Sequence, residues 1–553
     1  MNEKQFEIVP LGGLGEFGMN MMAVGYDDDI IVVDAGLMFP REDLLGVDFV
    51  IPEFTYLLEN REKVRAIFLT HGHEDHVGAL PYLLKDLSVP VYATPLTLGF
   101  AQGRLEENGV LDEAELINVE ARDTWEFGDL HVEIIHMTHS IADSIGLAIT
   151  SPAGTVIMTG DYKLDSAPLD GRPTDYARLS NYGEQGVLAL FGDSTNSERP
   201  GFTPSETHVR KNLETIFHAG CRKIIVACFA SSIHRIQIIF DLARDFGKRV
   251  IVTGRSMKQN ISIASDLGYL HIPPGVLADV SEARAISDEE LVILSTGSQG
   301  EPLAALTRLA FGKQKGISVN EGDSVVISAR VIPGNELRVS RLVNLFCRRG
   351  ARVYEESSRD MHVSGHASQE EQKIMLNLTK PRYFIPIHGE YRQLYAHALL
   401  AEEIGIPKNR ILIAETGDII RLGRDNISVE GRAPVGRRLI DAGGIAELDV
   451  DVIGDRHRLS EEGVILAVVV VDKSTGGMKG VPELAIRGHV QGSEEIDFLA
   501  EARRVVVNTF EECTLQERAD SGVLTENIRA ALKRYFRKGA GTRPMIVPVV
   551  IEI

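Results

Sequence analysis

The chain of 553 residues has little cysteine, and its four cysteines form no CxxC pair. A CxxC zinc or redox motif and a disulfide scaffold are therefore excluded, and we expect reduced thiols in the core of a cytoplasmic protein. The longest strongly apolar run, residues 464–471, is far shorter than the ~20 residues that cross a bilayer. The start, Met-Asn-Glu-Lys-Gln, lacks the apolar segment of a signal peptide. These absences favour a large soluble enzyme.

Two common enzyme motifs are also missing. The sequence contains no GxxxxGK[ST] loop and no helical HExxH motif, which excludes P-loop nucleotide hydrolysis and the thermolysin-like zinc site. Gly13, Gly15 and Gly18 do match the dinucleotide-binding fingerprint, with Asp34 downstream. That fingerprint requires a helix next, whereas residues 21–34 read as a β-hairpin around Asp27-Asp28-Asp29. Nicotinamide binding is therefore not expected.

Positive charge is scarce. The chain has 58 Lys and Arg against 79 Asp and Glu, a formal net charge of -21. Composition alone would not indicate nucleic-acid binding, because phosphate contacts come mainly from Lys and Arg. Two local basic patches, residues 330–359 and 529–538, are candidates for such contacts, and solvated helix faces are an equal alternative.

The sequence is rich in metal donors at one place, His71-Gly72-His73-Glu74-Asp75-His76, although histidine accounts for only 16 residues. The hexad follows the apolar run 66–70. In an extended segment His71 and His73 share a side and can hold one ion. If the chain then turns, Asp75 and His76 can hold a second. A polar loop with scattered histidines is the alternative.

Three more donors follow short apolar runs farther along the chain. They are His139, Asp161 and His388. Sheet proteins tend to build their sites at the carboxyl ends of such strands. With the hexad they supply enough ligands for two divalent ions, and Asp161 can bridge them. Imidazole and carboxylate donors accept zinc and manganese alike, so the metal stays open.

In order and local context these seven donors resemble the ligands of the metallo-β-lactamase superfamily. The resemblance implies that His71, His73 and His139 hold one ion, that Asp75, His76 and His388 hold the other, and that Asp161 bridges them. Small hydrolases of that superfamily lack the long stretch found here between Asp161 and His388. Its apolar strands at 223–228, 249–253, 291–295 and 324–329 alternate with helical stretches such as 233–246, as in an inserted α/β domain.

The insertion resembles that of the β-CASP nucleases. Residues 191–196 are similar to the family's acidic motif, residues 362–368 to its histidine motif, and residues 385–392 to the return into the metal domain. With the glycine-rich segment 11–20, the chain from about residue 5 to its end is similar to the bacterial ribonuclease J family.

The resemblance implies an α/β fold, in which a metallo-β-lactamase αββα sandwich is interrupted by an inserted α/β β-CASP domain and followed by a small C-terminal α/β domain. We expect the metallo-β-lactamase domain at residues 1–205 and 372–424, the β-CASP domain at 206–371, a linker at 425–458 and the C-terminal domain at 459–553.

The family's activity implies a metal-dependent ribonuclease with 5′-to-3′ exonuclease and endonuclease activity in rRNA maturation and mRNA decay. RNA with a 5′-monophosphate is the expected substrate. A homodimer or homotetramer, a contact with an RNA-degradation complex and a cytoplasmic location are expected as well.

The resemblance also assigns roles near the metals. His366 is expected to protonate the leaving oxygen and Asp193 to orient it, and Asp75 counts with them as a catalytic residue. The phosphate pocket of the family corresponds to Ser364, Gly365, His366, Ala367 and Ser368. Ser231, Ser232 and His234 are expected to complete the nucleotide pocket, although a Ser-Ser-x-His run is also a good helix cap.

A structural calcium ion is a weaker implication. Gly46 and Asp48 would meet an acidic side chain from Glu447 or Asp449. An exposed acidic loop is the alternative.

Rival functions remain. A small-molecule hydrolase would share the hexad but has no use for the insertion. A non-catalytic RNA-binding scaffold would be expected to have lost a ligand. A DNA-directed β-CASP nuclease is closer, and only the similarity of the two ends of the chain to ribonuclease J argues against it.

Overall fold

The computed structural model describes residues 4–553 except 42, 220–221, 302–303, 333–334, 356–360, 442–445, 449, 489–494 and 540–542. The chain divides into two compact units, which are described separately. The first comprises residues 1–39 and 49–438, and the second comprises residues 40–48 and 439–553.

The first unit begins with the strands and helices of a sandwich. These are β1 (Phe6–Gly12), β2 (Met21–Tyr26), β3 (Asp29–Val33), β4 (Phe49–Pro52), α1 (Thr55–Glu59), β5 (Val64–Phe68), α2 (Glu74–Val77), α3 (Leu80–Asp86), β6 (Val91–Ala93), α4 (Pro95–Glu107), β7 (Leu116–Asn118), β8 (Thr124–Phe127), β9 (Leu130–His136), β10 (Ile145–Ser151), β11 (Gly154–Met158), α5 (Tyr176–Gln185) and β12 (Ala189–Asp193). Strands β2 and β3 pair antiparallel, which confirms the predicted hairpin and the absence of a dinucleotide-binding helix.

The inserted domain alternates strands and helices. Its elements are α6 (Glu206–His218), β13 (Ile224–Ala227), α7 (Ile233–Asp245), β14 (Arg249–Thr253), α8 (Arg255–Asp266), β15 (Leu277–Ala278), β16 (Leu291–Ser295), α9 (Ala305–Ala310), β17 (Ser324–Ile327), α10 (Glu336–Arg348) and β18 (Arg352–Tyr354). The strands form one parallel sheet in the order β15-β14-β16-β13-β17-β18. Helices α6, α7 and α8 pack on one face and α9 and α10 on the other. Central strands buried on both faces explain the continuous Val and Ile runs.

The chain then returns to the sandwich. The returning elements and those that follow are α11 (Gln369–Thr379), β19 (Tyr383–Ile387), α12 (Tyr391–Glu403), β20 (Asp418–Leu422), β21 (Ile427–Arg432), β22 (Arg437–Asp441), β23 (Ala446–Leu448) and α13 (Val450–Glu462). Strand β19 pairs parallel with β12, and β20 pairs antiparallel with β1. The segment predicted as a linker, residues 425–458, thus contains regular strands and much of a helix.

Two sheets face each other in the sandwich. Their strand orders are β21-β20-β1-β2-β3-β5-β6-β7 and β19-β12-β11-β10-β9-β8. Apolar side chains of both sheets form a single core, with Phe6, Phe68, Ile134 and Ile385 among its fully buried members. The fold is therefore the expected metallo-β-lactamase sandwich with an inserted α/β domain.

The second unit ends in a small α/β domain. Its elements are β24 (Val464–Val471), β25 (Glu483–Arg487), α14 (Glu495–Glu512), α15 (Leu515–Ala519), α16 (Ser521–Gly539) and β26 (Met545–Glu552), with the strand order β25-β24-β26. The sequence of residues 515–538 predicts a single helix, whereas the structure has two there, so this prediction is wrong. The chain is extended at Asp520, whose carboxylate accepts the backbone N–H groups of Gly522 and Val523 and so starts a new helix.

Burial alternates along β24, as in a sheet that is covered on one side only. Ile465, Ala467 and Val469 belong to a core shared with α14 and α16. On the opposite face, Val468 is half-buried and Val549 of the neighbouring β26 is exposed. This domain therefore presents an open apolar sheet face.

The sequence predicts that the cysteines lie in the core and that no segment crosses a membrane. Cys228 and Cys513 are buried as expected, Cys347 is exposed, which corrects the prediction, and Cys221 lies outside the described residues. None of the helices within the described ranges is long and apolar enough to cross a membrane.

Candidate metal centre and active site

The sequence-predicted metal donors meet at one edge of the sandwich. His71, His139 and Asp161 each lie three residues beyond a strand, β5, β9 and β11 respectively, and His388 directly follows β19. The chain is extended at His73 and turns into α2 immediately afterwards. The backbone therefore directs the two halves of the hexad to different places.

One donor group consists of His71, His73, His139 and Asp161. His73 Nδ1 lies 3.0 Å from His71 Nε2 and 3.3 Å from His139 Nε2. Asp161 Oδ2 lies 3.5 and 3.8 Å from the same two Nε2 atoms. These distances suit four ligands that converge on one ion.

The second donor group consists of Asp75, His76, His388 and again Asp161. Asp75 Oδ2 lies 3.7 Å from His76 Nε2 and 3.5 Å from His388 Nε2. Asp161 reaches His76 with Oδ2 at 3.3 Å and His388 with Oδ1 at 3.4 Å. Asp161 is thus common to both groups, in the position of a bridge.

The donor set fits divalent cations. In each group the ligand atoms lie within 4.8 Å of one another. His388 Nε2 is buried and has no hydrogen-bond partner, although it faces two carboxylates. A buried, unsatisfied imidazole nitrogen carries a desolvation penalty that a bound cation would remove. Imidazole and carboxylate are the donors that zinc and manganese accept.

The protonation of the histidines follows from their surroundings. Burial lowers the pKa of His71 and His139 well below the ordinary value, and it lowers the pKa of His73 to about 4. Burial also opposes the charged form of His76 and His388, but the surrounding carboxylates, Asp161 foremost, together outweigh it and raise the pKa of both well above the ordinary value. A divalent ion would replace these protons as the partner of Asp161.

Residues outside the ligand set fix the imidazole rings. Asp34 Oδ2 accepts His76 Nδ1–H at 2.8 Å, and Gly365 O accepts His139 Nδ1–H at 2.8 Å. Such partners set the tautomer and leave Nε2 for the metal. In the sequence, Asp34 matches only the acidic position of a dinucleotide fingerprint. It directly follows β3, which pairs with the strand that leads to His71, and this position after a strand was the signal that could have identified it.

The glycine-rich loop before β2 also serves this centre. Asn20 donates its side-chain amide to Asp75 O at 3.0 Å and lies 3.1 Å from His76 Nε2. A Cβ at Gly36 would lie 1.6 Å from Asp75 O, so only glycine allows this close approach. Asn20 and Gly36 therefore hold neighbouring backbone close to the hexad.

Asp193 and His366 form a hydrogen-bonded pair beside the metal donors. His366 Nδ1 donates to Asp193 Oδ2 at 2.8 Å and lies 3.9 Å from Asp161 Oδ2. Thr195 donates its hydroxyl to Asp193 Oδ1 at 2.8 Å and accepts from His388 Nδ1 at 2.7 Å. Burial disfavours the charged forms of both residues. Asp193 and Asp161 together nevertheless raise the pKa of His366, and His366 with the hydrogen bond to His388 lowers the pKa of Asp193.

The histidine motif contributes to the site through different atoms. Ser364 Oγ accepts from Asn196 Nδ2 at 2.9 Å and from the backbone N–H of His366 at 3.2 Å. Ala367 is fully buried in the core, and Ser368 forms a capping box at the start of α11. Ser364, Gly365 and His366 thus lie beside the metal donors, whereas the Ala367 and Ser368 side chains have structural roles. That the backbone groups of Ala367 and Ser368 contact the substrate stays a prediction.

The other expected nucleotide residues lie at the start of α7. Ser232 occupies the N-cap position, but its side chain forms no capping hydrogen bond. His234 Nε2 lies 3.6 Å from Asp170 Oδ2 and lines a small pocket together with His139 and Lys163. Ser231 precedes this helix, and the role of all three in substrate binding stays a prediction.

The expected calcium ligands lie in the second unit. At Gly46, a Cβ would lie 2.5 Å from Arg456 Nη1, which donates to Leu45 O at 3.0 Å, so a guanidinium already supplies positive charge there. Within the described residues, every group of three or more metal donors contains Asp161, and neither Asp48 nor Glu447 belongs to one. Asp449 lies outside those residues, and the calcium site stays a prediction.

Comparisons with known proteins follow the same domain order. Sequence models of four families match: the metallo-β-lactamase superfamily at residues 14–215, the ribonuclease J β-CASP domain at 221–346, the Zn-dependent metallo-hydrolase RNA specificity domain at 352–412, and the ribonuclease J C-terminal domain at 451–553. A crystal structure of a protein of unknown function from Enterococcus faecalis shares the fold, with a TM-score of 0.54 and 16% identity over 76% of this chain and 100% of that one.

Full-length relatives carry the assignment. Ribonuclease J 1 of Streptococcus pyogenes is 40% identical over 98% of this chain and 97% of its own length. Ribonuclease J2 of Bacillus subtilis is 38% identical over 100% of this chain and 99% of its own length. Ribonuclease J of Thermus thermophilus is 40% identical over 99% of this chain and 95% of its own length. With its paired metal-donor groups and its inserted domain, this chain belongs to the ribonuclease J family.

Proposed function

We propose that this protein hydrolyses RNA phosphodiesters with two divalent ions, zinc or manganese, as a 5′-to-3′ exonuclease and an endonuclease in rRNA maturation and mRNA decay. The observation that carries the proposal is the position of Asp161 between two groups of donors. The names of the full-length relatives support RNA as the substrate, and the RNA specificity domain at 352–412 agrees with them.

Two bound ions would supply a hydroxide nucleophile near neutral pH and would neutralise charge on the phosphate. His71, His73 and His139 would hold one ion, Asp75, His76 and His388 the other, and Asp161 both. The protein's own groups carry the remaining chemistry. Asp193 holds His366 through Nδ1, which leaves Nε2–H to donate a proton to the departing ribose oxygen.

The preference for a 5′-monophosphate is the finer part of the proposal. The segment from Ser364 to His366 lies beside the metal donors, where the Ser364 hydroxyl and the Gly365 N–H can bind a terminal phosphate. A terminal phosphate held there would select RNA ends, and an open channel would allow internal cleavage. We place this activity in the cytoplasm, where its RNA substrates are made, and we retain an RNA-degradation complex as a partner.

The substrate class is tested by incubating the protein and manganese with labelled RNA, DNA and a thioester. We expect hydrolysis of RNA. Preferred cleavage of DNA would favour the DNA-directed β-CASP nuclease, and thioester hydrolysis alone would favour a small-molecule hydrolase. RNA with 5′-monophosphate, 5′-hydroxyl and 5′-triphosphate ends is then compared, and equal rates would contradict phosphate selection.

A homodimer or homotetramer is also proposed. The open face of the C-terminal sheet supports it, because a monomer would leave this apolar surface in water. Alternate residues of β24 and β26 form that face, and the two strands are in parallel register from Val464 opposite Met545 to Val471 opposite Glu552. A second copy of the same face is the partner we propose.

A further inference from the structure

We propose that a cleft in the inserted domain, beside His366, binds a nucleotide of the RNA strand other than the terminal one. The inference rests on the proposed function. The cleft has a volume of about 400 Å³ and is lined by Arg199, Ile327, Ala329, Arg330, Val331 and Glu355, among others. We call it the arginine cleft.

The arginine cleft lies at the carboxyl ends of two neighbouring strands of the parallel sheet, the edge at which open α/β domains bind ligands. Strands β17 and β18 pair in parallel. Ala329 and Arg330 follow β17, Glu355 follows β18, and Val339 of the connecting helix α10 also lines the cleft.

A hydrogen-bond chain connects the arginine cleft to the reaction centre. Arg330 Nη1 donates to Asn196 Oδ1 at 3.4 Å. Asn196 in turn donates to His366 O at 3.0 Å and to Ser364 Oγ at 2.9 Å. Only one side chain thus separates the Arg330 guanidinium from the histidine motif, so a strand bound at the metals can reach the cleft.

The electrostatics favour an anion there, despite the net charge of -21. Burial lowers the pKa of nearby His362 well below the ordinary value, and the positive charges of Arg235, Arg330, Lys163 and Arg199 lower it further. Arg235 and Lys163 are buried and paired with carboxylates. Arg199 is exposed and has no ion-pair partner among the described residues. Arg199 therefore leaves positive charge in the cleft.

The lining suits a nucleotide better than a bare phosphate. The apolar side chains of Ile327 and Val331 offer a surface for a base, and the planar guanidinium groups bind phosphate or stack on a base. The carboxylate of Glu355 can accept from an exocyclic amine. A site for inorganic phosphate alone would not need these walls.

The test measures binding of an uncleavable 2′-O-methyl RNA to the metal-loaded protein by fluorescence anisotropy at several salt concentrations. We expect Arg330→Gln and Arg199→Gln each to weaken binding about tenfold and to reduce the slope of log affinity against log salt by about one. Arg284→Gln is the matched control, because Arg284 is exposed and follows β15, at the opposite edge of the sheet from β18. It should leave both quantities unchanged.

Unchanged affinity and salt slope in Arg199→Gln would overturn the proposal. Arg199→Gln tests the proposal even if Arg330→Gln fails to fold, because Arg199 is exposed and its replacement should leave the fold intact. Competition separates the ligand classes: displacement of labelled RNA by adenosine monophosphate but not by equal inorganic phosphate supports a nucleotide site, and equal displacement contradicts it. Because the readout is binding, a protein that hydrolyses no RNA would contradict the proposed function without deciding this test.

Discussion

At the residue scale, Asp161 has a role that no other donor shares, because its carboxylate faces both groups of histidines. The sequence identified the histidines by their density, and their positions after strands predicted that they would meet. It could not identify Asp34 as their partner. That contact depends on how β3 and β5 pair, which a single sequence does not reveal.

Replacing His76 tests the two-metal arrangement. His76→Ala removes a donor from the group that contains Asp75 and His388, so we expect metal content to fall from two ions to one and RNA hydrolysis to fall at least about a thousandfold. Metal analysis and single-turnover hydrolysis measure these effects. His131→Ala, at an exposed histidine, is the control. Full activity in the His76 variant, with its circular dichroism unchanged, would contradict the two-metal arrangement.

Asp34 should affect the metal without touching it. Asp34→Asn weakens the hydrogen bond that orients His76, and we expect metal affinity to fall about 10- to 100-fold. Competition with a chelating dye measures this affinity. Asp28→Asn changes an exposed carboxylate near the same strand and should leave it unaltered. If both variants bind metal with equal affinity, Asp34 does not orient His76 for metal binding.

Gly365 allows the histidine motif to approach a metal ligand. A Cβ there would lie 2.5 Å from His139 Cε1, so Gly365→Ala must move the imidazole or the loop. We expect at least a tenfold loss of activity, since a small displacement of catalytic groups is costly. Gly436→Ala, where the nearest atom would lie at 3.5 Å, is the control. Equal rates in both variants would show that the close contact is unimportant.

At the element scale, strands β13, β14, β16 and β17 of the insertion were predictable to within about two residues, because continuous Val and Ile runs mark buried parallel strands. The short edge strands β15 and β18 carry no such run and were not predicted. The break between α15 and α16 was not predictable from the sequence. The apolar spacing there continues through Asp520, and only the side-chain hydrogen bonds of that residue end one helix and begin the next.

Arg235 joins several elements of the insertion. It is 1% exposed, pairs with Glu206 of α6, and donates to Ser328 O and Met361 O, which lie beyond β17 and before the histidine motif. Arg235→Met leaves the Glu206 carboxylate buried and unpaired, so we expect a loss of about 3 to 5 kcal/mol of unfolding free energy. Denaturant unfolding measures it. Arg235→Met with Glu206→Leu should recover much of the loss; failure to do so would assign the effect to the backbone hydrogen bonds.

At the scale of the whole molecule, net charge was a poor guide to the substrate. The acidic residues dominate the sum, whereas the groups that face His362 include four cations. Which charges share a surface is a property of the fold, so it could not be read from composition.

The open sheet face of the C-terminal domain is where we expect copies of the chain to meet. Val549→Asp places a charge on an exposed apolar position of that face and should dissociate the oligomer, as measured by light scattering. Glu552→Asp, which keeps its charge, is the control. A native protein that is already monomeric, or a Val549→Asp variant whose assembly keeps its mass, would contradict this interface.

Strand β19 enters the sandwich beside β12 only after the whole insertion has been made, and it carries His388 into the metal centre. A nascent chain that ends before this strand lacks a ligand and the wall that holds it. During translation the growing protein is tethered to its own messenger RNA. Because the sandwich is interrupted in this way, the set of seven metal donors is complete only once His388 has been synthesised.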